Sequence, residues 1–278
     1  MKFERKNYLY GSKFTIISVE NEHIKTLNLV FYKEGFSFGT SDEKERISKV
    51  SHIKVTHPNR WEAEIIKELE TDLRLRRNFD KIYVAFVSSF FNLVPNDYMV
   101  ENYESLLNFS EAEFEDNQIL KSFSSTESCF VYGTSSVLVR KLKELFGQLV
   151  FTHSGQIFID AVEKTNEPVV HLNLLHHQLE ILVTANNGVV FYNLFETPTG
   201  EDILFFTLFA LEQLGLDTNK TEIKCYGELL PNTKVFQTLK KYVRYLKAAM
   251  KDEEFLANFT LQNLSKCASS QALLEGKK

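Results

Sequence analysis

Residues 172–195 read LNLLHHQLEILVTANNGVVFYNLF, in which two apolar runs flank an Asn186-Asn187-Gly188 turn. An Asn-Gly step between apolar runs is typical of a β-hairpin, because both residues tolerate the positive φ of a tight turn. An apolar helical segment (201–214) and a strand-like segment, TEIKCYGEL (221–229), follow. This part of the chain therefore has the order hairpin, helix, strand.

The first third of the chain has the same order. Residues 27–38 read LNLVFYKEGFSF, two apolar runs around Lys33-Glu34-Gly35, where glycine suits the turn. An amphipathic helical segment (61–77) and the apolar strand IYVAFVSSF (82–90) follow. Two copies of one unit predict an α/β protein of two related lobes with a cleft between them.

The repeat also suggests how the chain is divided. We expect a first lobe at residues 1–165, a second lobe at 166–265 and a frayed C-terminal tail at 266–278. FTIISV (14–19) reads as an edge strand of the first lobe, and FTLQNL (259–264) as a last strand of the second.

Local signals outside the two units predict further elements of the first lobe. Asn59 is the expected N-cap of the 61–77 helix. The segment 98–124, which is rich in Asp and Glu, reads as a surface helix and loop. CFVYG (129–133), a helix and LVFT (149–152) predict two parallel neighbouring strands joined by a crossover.

Helix ends in the second lobe are marked more clearly. Thr199 is the expected N-cap of the 201–214 helix, and Gly215 its C-terminal stop. That helix is apolar nearly all round, so we expect it to be buried on more than one side. Pro231-Asn232-Thr233 predicts the start of a further helix that extends to Leu246.

Composition limits the classes of partner and compartment. The net charge of −5 and the pI of about 5.9 argue against nucleic acid as a main partner. The N-terminus lacks the apolar core of a signal peptide, and the apolar runs fall short of the roughly 18 residues that span a bilayer. The three cysteines, Cys129, Cys225 and Cys267, are odd in number and far apart, which predicts buried, reduced thiols in the cytoplasm.

Segment 189–229 carries the motifs of a known family. Its motifs are Tyr192-Asn193-Leu194-Phe195, Glu201-Asp202, Glu212-Gln213-Leu214-Gly215-Leu216-Asp217 and Gly227-Glu228. With these motifs the chain resembles the bacterial family catalogued as domain of unknown function 3822. Further matches are Gly35-Phe36-Ser37-Phe38, Leu93-Val94-Pro95 and Thr152-His153-Ser154, so the resemblance covers nearly the whole chain.

The resemblance implies an actin-like ATPase fold, with two ribonuclease-H-like lobes of mixed sheets and flanking helices around a cleft. It implies no activity. Active members of the actin-like class carry an Asp-x-Gly turn at the first hairpin of each lobe. The glycine lets the backbone approach phosphate, and the aspartate holds the metal or its waters. The matching places here read Leu27-Asn28-Leu29 and Leu172-Asn173-Leu174, without Asp or Gly.

Three residues are the candidates for nucleotide contact: Gly35, Asn173 and Gly227. Gly35 follows Glu34, whose carboxylate would repel a phosphate. Gly227 stands alone where the fold usually places a Gly-Gly pair against the base. We assign no catalytic residue and no metal ligand from the sequence.

Other polar motifs have structural interpretations. Residues 132–136, YGTSS, lack the lysine of a phosphate loop and predict a serine N-cap. His176-His177 reads as neighbouring strand residues that point to opposite faces, which disfavours a metal site. His153-Ser154 lacks a nucleophile elbow. We expect Asn193 and Asp202 to hold the hairpin against the helix by hydrogen bonds.

Two functions remain open on the sequence. The first is a non-catalytic actin-like scaffold that lacks the phosphate-binding motifs and binds another protein through its cleft or its acidic surface. The alternative is a divergent nucleotide-binding protein, ATPase or kinase-like, with ATP and Mg²⁺ as cofactors. A phosphate site would show converging backbone N–H groups or Lys and Arg in the cleft. A scaffold would show an ordinary or apolar cleft and an exposed apolar patch elsewhere.

Overall fold

A computed structural model describes residues 26–42, 46–107, 117–123, 128–250 and 258–275. The edge strand predicted at 14–19 lies outside these residues. The strands are β1 (Thr26–Tyr32), β2 (Gly35–Ser41), β3 (Ile47–Lys54), β4 (Lys81–Phe86), β5 (Phe91–Pro95), β6 (Asn117–Phe123), β7 (Ser128–Ser135), β8 (Val150–His153), β9 (Val169–Leu175), β10 (Gln178–Ala185), β11 (Gly188–Glu196), β12 (Glu222–Gly227) and β13 (Tyr245–Ala248). The α-helices are α1 (Trp61–Thr71), α2 (Ser136–Phe146), α3 (Ser154–Ala161), α4 (Gly200–Gln213), α5 (Lys234–Leu239) and α6 (Phe259–Glu275).

Two five-stranded sheets share one topology. The first has the order β3-β2-β1-β4-β8, and the second has the order β11-β10-β9-β12-β13. In each, the central strand pairs antiparallel with the next strand of its hairpin and parallel with the strand that follows a helix. The two-lobed α/β architecture with mixed sheets and flanking helices is therefore confirmed.

A third sheet, β5-β7-β6, is inserted into the first lobe and is antiparallel. The prediction that the 129–133 strand is a parallel neighbour of the 149–152 strand is wrong, because β7 lies in this third sheet. Residues 117–123 form β6, where the sequence predicts a helix and loop. Alternate residues of β7 enter different cores: Phe130 packs in the main core and Cys129 with Leu107 in a small one. A strand that is apolar on both faces does not indicate which sheet contains it.

Helix α1 is shorter than predicted, because it ends at Thr71 rather than at 77. The Asp72 carboxylate accepts a hydrogen bond from the backbone N–H of Arg74 at 2.9 Å, and this local bond competes with another helical turn. The Arg74 guanidinium lies over the Phe38 ring, 4.8 Å from its centroid. Asn59 is not the N-cap; Arg60 occupies that position without a side-chain capping bond.

The local signals of the second lobe are largely confirmed. Thr199 and Asp202 form a reciprocal capping box at the start of α4, and Gly215 follows its end with φ 65°. The Asn186-Asn187 turn joins β10 to β11. The helix predicted to reach Leu246 is wrong in extent, since α5 ends at Leu239 and β13 follows.

The C-terminal helix α6 connects the second lobe back to the first. The prediction of a strand at 259–264 is wrong, and residues 266–275, part of the predicted tail, continue the helix. Leu261 and Leu264 are fully buried against Val30, Ala85 and other residues of β1, β4 and α3. Leu261 and Leu264 are three residues apart, which suits a helix, but the six residues 259–264 are too few to distinguish a helix from a strand by sequence. The lobe boundary itself stays a prediction.

Among the described residues, no helix is both long enough and apolar enough to cross a membrane. Cys129, Cys225 and Cys267 are free and buried, as the sequence predicts.

Candidate functional site: the junction of the two first hairpins

The first hairpins of the two lobes occupy equivalent places in their sheets. The backbone N–H of Val87 donates to the carbonyl of Phe31 at 2.8 Å, and that of Glu228 donates to the carbonyl of Leu174 at 2.9 Å. Phe31 and Leu174 are therefore equivalent, and each lies just before the turn of its hairpin. This equivalence locates the positions at which an actin-like phosphate turn would lie.

Those positions are the turns Lys33-Glu34 and His176-His177. The prediction that the two Leu-Asn-Leu triplets are the matching places is wrong, because Asn28 and Asn173 lie inside strands. They are also not equivalent to each other, since Asn28 comes three residues before Phe31 and Asn173 only one residue before Leu174. His176-His177 is a turn rather than a pair of strand residues, with φ of 45° and 62°. Sequence reasoning missed it because neither residue is Gly or Asn. The polar interruption of an apolar run was the available signal.

Side-chain oxygens already occupy a backbone N–H group of each turn. The N–H of Lys33 donates to Gln178 Oε1 at 3.4 Å, so a second-lobe side chain binds the first-lobe turn. The N–H of His176 donates to Glu228 Oε1 at 3.2 Å. An anion that bound either of these two N–H groups would have to displace its acceptor, and at His176 the Glu228 carboxylate would also repel it. Sequence reasoning named neither Gln178 nor Glu228.

The second-lobe turn also contacts the end of β1. The rings of Tyr32 and His176 stack with centroids 4.1 Å apart, and His52 approaches His176 edge-on at 6.0 Å. Ser37 Oγ lies 2.7 Å from His52 Nδ1 and 3.3 Å from the Tyr32 hydroxyl. Burial raises the pKa of Tyr32 to about 12. Burial lowers the pKa of His176, and the nearby Glu228 carboxylate opposes this lowering. Aromatic side chains therefore fill this part of the junction.

The lysines at the junction are paired with carboxylates. Lys33 Nζ lies 2.8 Å from the Glu196 carboxylate of the second lobe, and Lys54 Nζ lies 3.7 Å from Glu34. Both pairs are exposed, so each contributes little to stability. Their consequence is electrostatic, because the positive charge nearest the turns is neutralised by the protein's own acids.

The three candidate residues from the sequence are not brought together in one site. Gly35 and Gly227 lie in different sheets, and each is required by close backbone contact. A Cβ at Gly35 would lie 2.0 Å from the Ile53 carbonyl oxygen, and one at Gly227 would lie 2.2 Å from that of Leu174. Asn173 lies beside the Gly227 strand end, but its side chain is committed to a buried carboxylate.

That carboxylate belongs to Glu180, which is almost wholly buried. Ser154 Oγ and the Tyr192 hydroxyl donate to Oε1 at 2.7 and 2.8 Å, and Asn173 Nδ2 donates to Oε2 at 2.6 Å. Burial raises the pKa of Glu180, and the three hydrogen bonds oppose the rise. Ser154 begins α3, and Asn173, Glu180 and Tyr192 lie in the second sheet, so this cluster ties α3 to that sheet.

The remaining polar motifs have structural roles. His153 Nε2 donates to the Ser88 carbonyl at 2.8 Å, and Nδ1 accepts from the N–H of Gly155 at 3.0 Å, so His153 does not activate Ser154. Ser135 caps α2, as predicted. Asn193 Oδ1 accepts from the N–H of Leu194, and Asp202 forms the capping box with Thr199. The expectation that these two side chains hold the hairpin against the helix by hydrogen bonds is therefore wrong, because both bonds are local.

No group of three or more potential metal ligands is found within the part of the chain that the structure describes. Two surface hollows of about 470 and 540 Å³ lie away from the two turns. The first is lined by Leu69, Glu70, Thr71, Leu75, Arg76, Leu145 and Phe146, and the second by Asn219, Lys220, Glu222, Arg244, Tyr245 and Lys247.

Comparison with known proteins gives the family. Residues 15–246 match the family described as "Protein of unknown function (DUF3822)", and the chain belongs to that family. No curated protein matches the sequence.

Solved structures show the same fold. A Bacteroides thetaiotaomicron protein with an actin-like ATPase fold and unknown function is 16% identical, with a TM-score of 0.76 over 91% of this chain and 100% of that one. The PilM–PilN type IV pilus biogenesis complex contains a chain 10% identical, with a TM-score of 0.55 over 90% of this chain and 98% of that one. The cytoplasmic domain of EpsL, an inner membrane component of the type II secretion system of Vibrio cholerae, is 12% identical, with a TM-score of 0.52 over 88% and 94%. The actin-like ATPase fold is thereby shown.

Proposed function

We propose that this protein is a non-catalytic actin-like scaffold that binds another protein and does not bind ATP. The observation that carries the proposal is that one backbone N–H group of each turn is already bound: Gln178 Oε1 accepts from Lys33, and Glu228 Oε1 accepts from His176. A phosphate site needs such amides to be free and convergent. In the alternative, a divergent nucleotide-binding protein, a phosphate would have to compete with these two acceptors for the same N–H groups.

An exposed apolar surface supports the binding of another protein. Phe205 and Phe209 on α4 are 59% and 45% exposed, although aromatic side chains of this size are usually buried in a monomer. Among the structural neighbours, the PilM–PilN structure is itself a complex of proteins, and EpsL is a component of a secretion system. Those facts concern the neighbours, and the fold makes a scaffold role for this chain reasonable by analogy alone.

Three free, buried cysteines support the cytoplasm as the compartment, because reducing conditions preserve such thiols. The acidic net charge of −5 supports a protein rather than nucleic acid as partner.

The test is calorimetric titration of the full chain with Mg-ATP, paired with a thermal melt. We expect no binding heat and no rise in melting temperature at millimolar ATP, because a ligand stabilises a protein only by binding its native state. Inorganic phosphate serves as a second probe of the turn amides and should also give no heat. Saturable binding of ATP in the micromolar range would overturn the proposal and justify a hydrolysis assay.

A further inference from the structure

Helix α4 presents a regular stripe to solvent. Glu201, Phe205, Phe209 and Glu212 are all exposed, and their spacings of four, four and three residues place them on one face. The rings of Phe205 and Phe209 stack with centroids 5.8 Å apart at an interplanar angle of 11°. We call these four residues the α4 stripe. It consists of an aromatic pair with one carboxylate at each end.

The other faces of this helix pack against described parts of the second lobe. Ile203, Thr207, Ala210 and Leu211 are buried against the second-lobe sheet. Helix α4 packs against α5 as well as against β10, as expected from a sequence that predicts burial on more than one side, but the face with Phe205 and Phe209 stays exposed. The apolar surface extends through Phe206, whose ring lies 5.2 Å from that of Phe205 and 4.4 Å from that of Phe195 on the edge strand β11. A surface of this kind is typical of a protein–protein contact.

Charge specifies the occupant. Helix α4 contains Glu201, Asp202 and Glu212 and no lysine or arginine. Asp202 is committed to the capping box, whereas Glu201 and Glu212 form no ion pair within the described residues. A partner would therefore gain most from cations placed at both ends of an apolar segment.

A second copy of the chain fits the α4 stripe poorly. In an antiparallel pair of α4 helices, Glu201 of one copy would face Glu212 of the other, and in a parallel pair like residues would meet. Both arrangements place carboxylates opposite carboxylates, which is unfavourable across an interface. The same charges attract a segment of opposite sign.

We propose that the α4 stripe binds an amphipathic helix of another protein, with apolar side chains at its centre and a lysine or arginine at each end. Eleven residues separate Glu201 from Glu212, or about 16 Å along a helix axis at 1.5 Å per residue. A partner helix lying along α4 therefore needs its cations about eleven residues apart, with large apolar side chains between them. This rests on the proposed function and names its partner class.

The probe is a fluorescein-labelled, amidated helical peptide of 16 residues, alanine-rich, with leucines on one face and lysines eleven residues apart at its ends. Binding to the full chain is followed by fluorescence anisotropy at low and moderate salt. We expect saturable binding that weakens at least tenfold in Phe205→Ala/Phe209→Ala. Glu201→Gln/Glu212→Gln should weaken it at least threefold and reduce its salt dependence. A peptide with glutamates in place of the lysines should bind at least tenfold more weakly.

Matched variants in the first lobe control for general effects. Leu73→Ala/Tyr98→Ala removes side chains that are 75% and 72% exposed, and Glu101→Gln/Glu104→Gln makes the same change in charge at exposed positions. Both should bind the peptide like the wild type. All substituted side chains are exposed, so thermal melts should show folded variants.

Three results would overturn the proposal. The first is equal peptide affinity in the wild type and either α4 variant, or equal affinity for the glutamate-ended peptide. The second is a wild-type dimer in sedimentation that Phe205→Ala/Phe209→Ala dissociates, because a second copy would then cover the stripe. The third is protection of Phe205 and Phe209 from hydroxyl-radical footprinting in the isolated chain. ATP binding with intact peptide binding would instead refute only the absence of nucleotide binding.

Discussion

The first hairpins of the two lobes have the same register but different turns. The first-lobe turn, Lys33-Glu34, is followed by Gly35, whereas the second-lobe turn, His176-His177, reaches positive φ without glycine. Each turn uses its polar groups to bind the other lobe or the adjacent strand, through Gln178 and Glu228. The two hairpins therefore share their register, and in each turn a side-chain oxygen accepts from one backbone N–H group.

The glycines differ in the same way. Phe31 pairs with Phe86 in the first lobe, and the equivalent Leu174 pairs with Gly227 in the second. Of these two strand residues only Gly227 has a positive φ, 65°, and the Leu174 carbonyl oxygen lies where its Cβ would be. A glycine near a hairpin is therefore evidence of close backbone packing, and it indicates a phosphate site only when the amides around it are free.

The largest effect is expected from Gly227→Ala. A Cβ there would lie 2.2 Å from the Leu174 carbonyl oxygen, so we expect a loss of about 3 kcal/mol or more in the free energy of unfolding. Gly215→Ala is the matched control, because Gly215 also has φ 65° but a Cβ there would meet nothing within 4 Å beyond its chain neighbours. It should cost about 1 kcal/mol. Urea unfolding measures both.

Gly35→Ala extends this test to the first lobe, where the Cβ would lie 2.0 Å from the Ile53 carbonyl oxygen. Its cost should also exceed that of Gly215→Ala. Equal costs for all three variants would show that positive φ, rather than backbone contact, determines the choice of glycine.

The second effect concerns two buried histidines, His153 in the first lobe and His171 in the second. Burial lowers the pKa of each to about 4, against an ordinary value of 6.5. As the pH falls, the two imidazoles are therefore protonated in the unfolded chain before they are protonated in the folded one. The stability that the neutral, buried histidines contribute is complete above pH 6.5 and is lost as the pH falls towards 4. Each contributes up to about 3 kcal/mol over this window, at about 1.4 kcal/mol per pH unit. Glu180 acts in the opposite direction, because its raised pKa favours the protonated folded state.

Urea unfolding between pH 4.5 and 7 measures this slope. His153→Gln and His171→Gln should each reduce it by about one proton, whatever their effect on stability at pH 7. His177→Gln is the control at an exposed position. An unchanged slope in both buried-site variants would contradict the assignment of acid sensitivity to these two residues.

The smallest effect is expected at the turn itself. His177 has φ 62°, a region that costs a side chain free energy and costs glycine little. His177→Gly should raise the free energy of unfolding by about 0.5 to 1 kcal/mol, since its carbonyl bond to the Thr197 N–H is retained. Gly35→His, which places the same side chain at a positive φ in the first lobe, should destabilise strongly because its Cβ would lie against the Ile53 carbonyl oxygen. A loss of stability in His177→Gly would mean that the imidazole makes contacts that outweigh the strain.

Much of the fold was predictable because it depends on local chemistry. The Asn186-Asn187 turn, the Thr199 capping box and the Gly215 helix end are each determined by neighbouring residues, and the structure contains all three. The candidate site was not predictable in the same way. Its residues, among them Tyr32, Gln178 and Glu228, are far apart in sequence and have no motif, so only the docking of the lobes brings them together.

The sequence by itself determined the repeated hairpin–helix–strand unit, because apolar periodicity and turn residues act over a few positions. Only the tertiary structure decided the rest. It placed β7 in a third sheet, returned α6 to the first lobe and stacked His176 of the second-lobe turn on Tyr32 at the end of β1. It also left Phe205 and Phe209 exposed on a helix that the sequence shows as apolar nearly all round. The physical reason is that an apolar pattern specifies that a surface is buried, whereas the packing of distant segments determines what buries it.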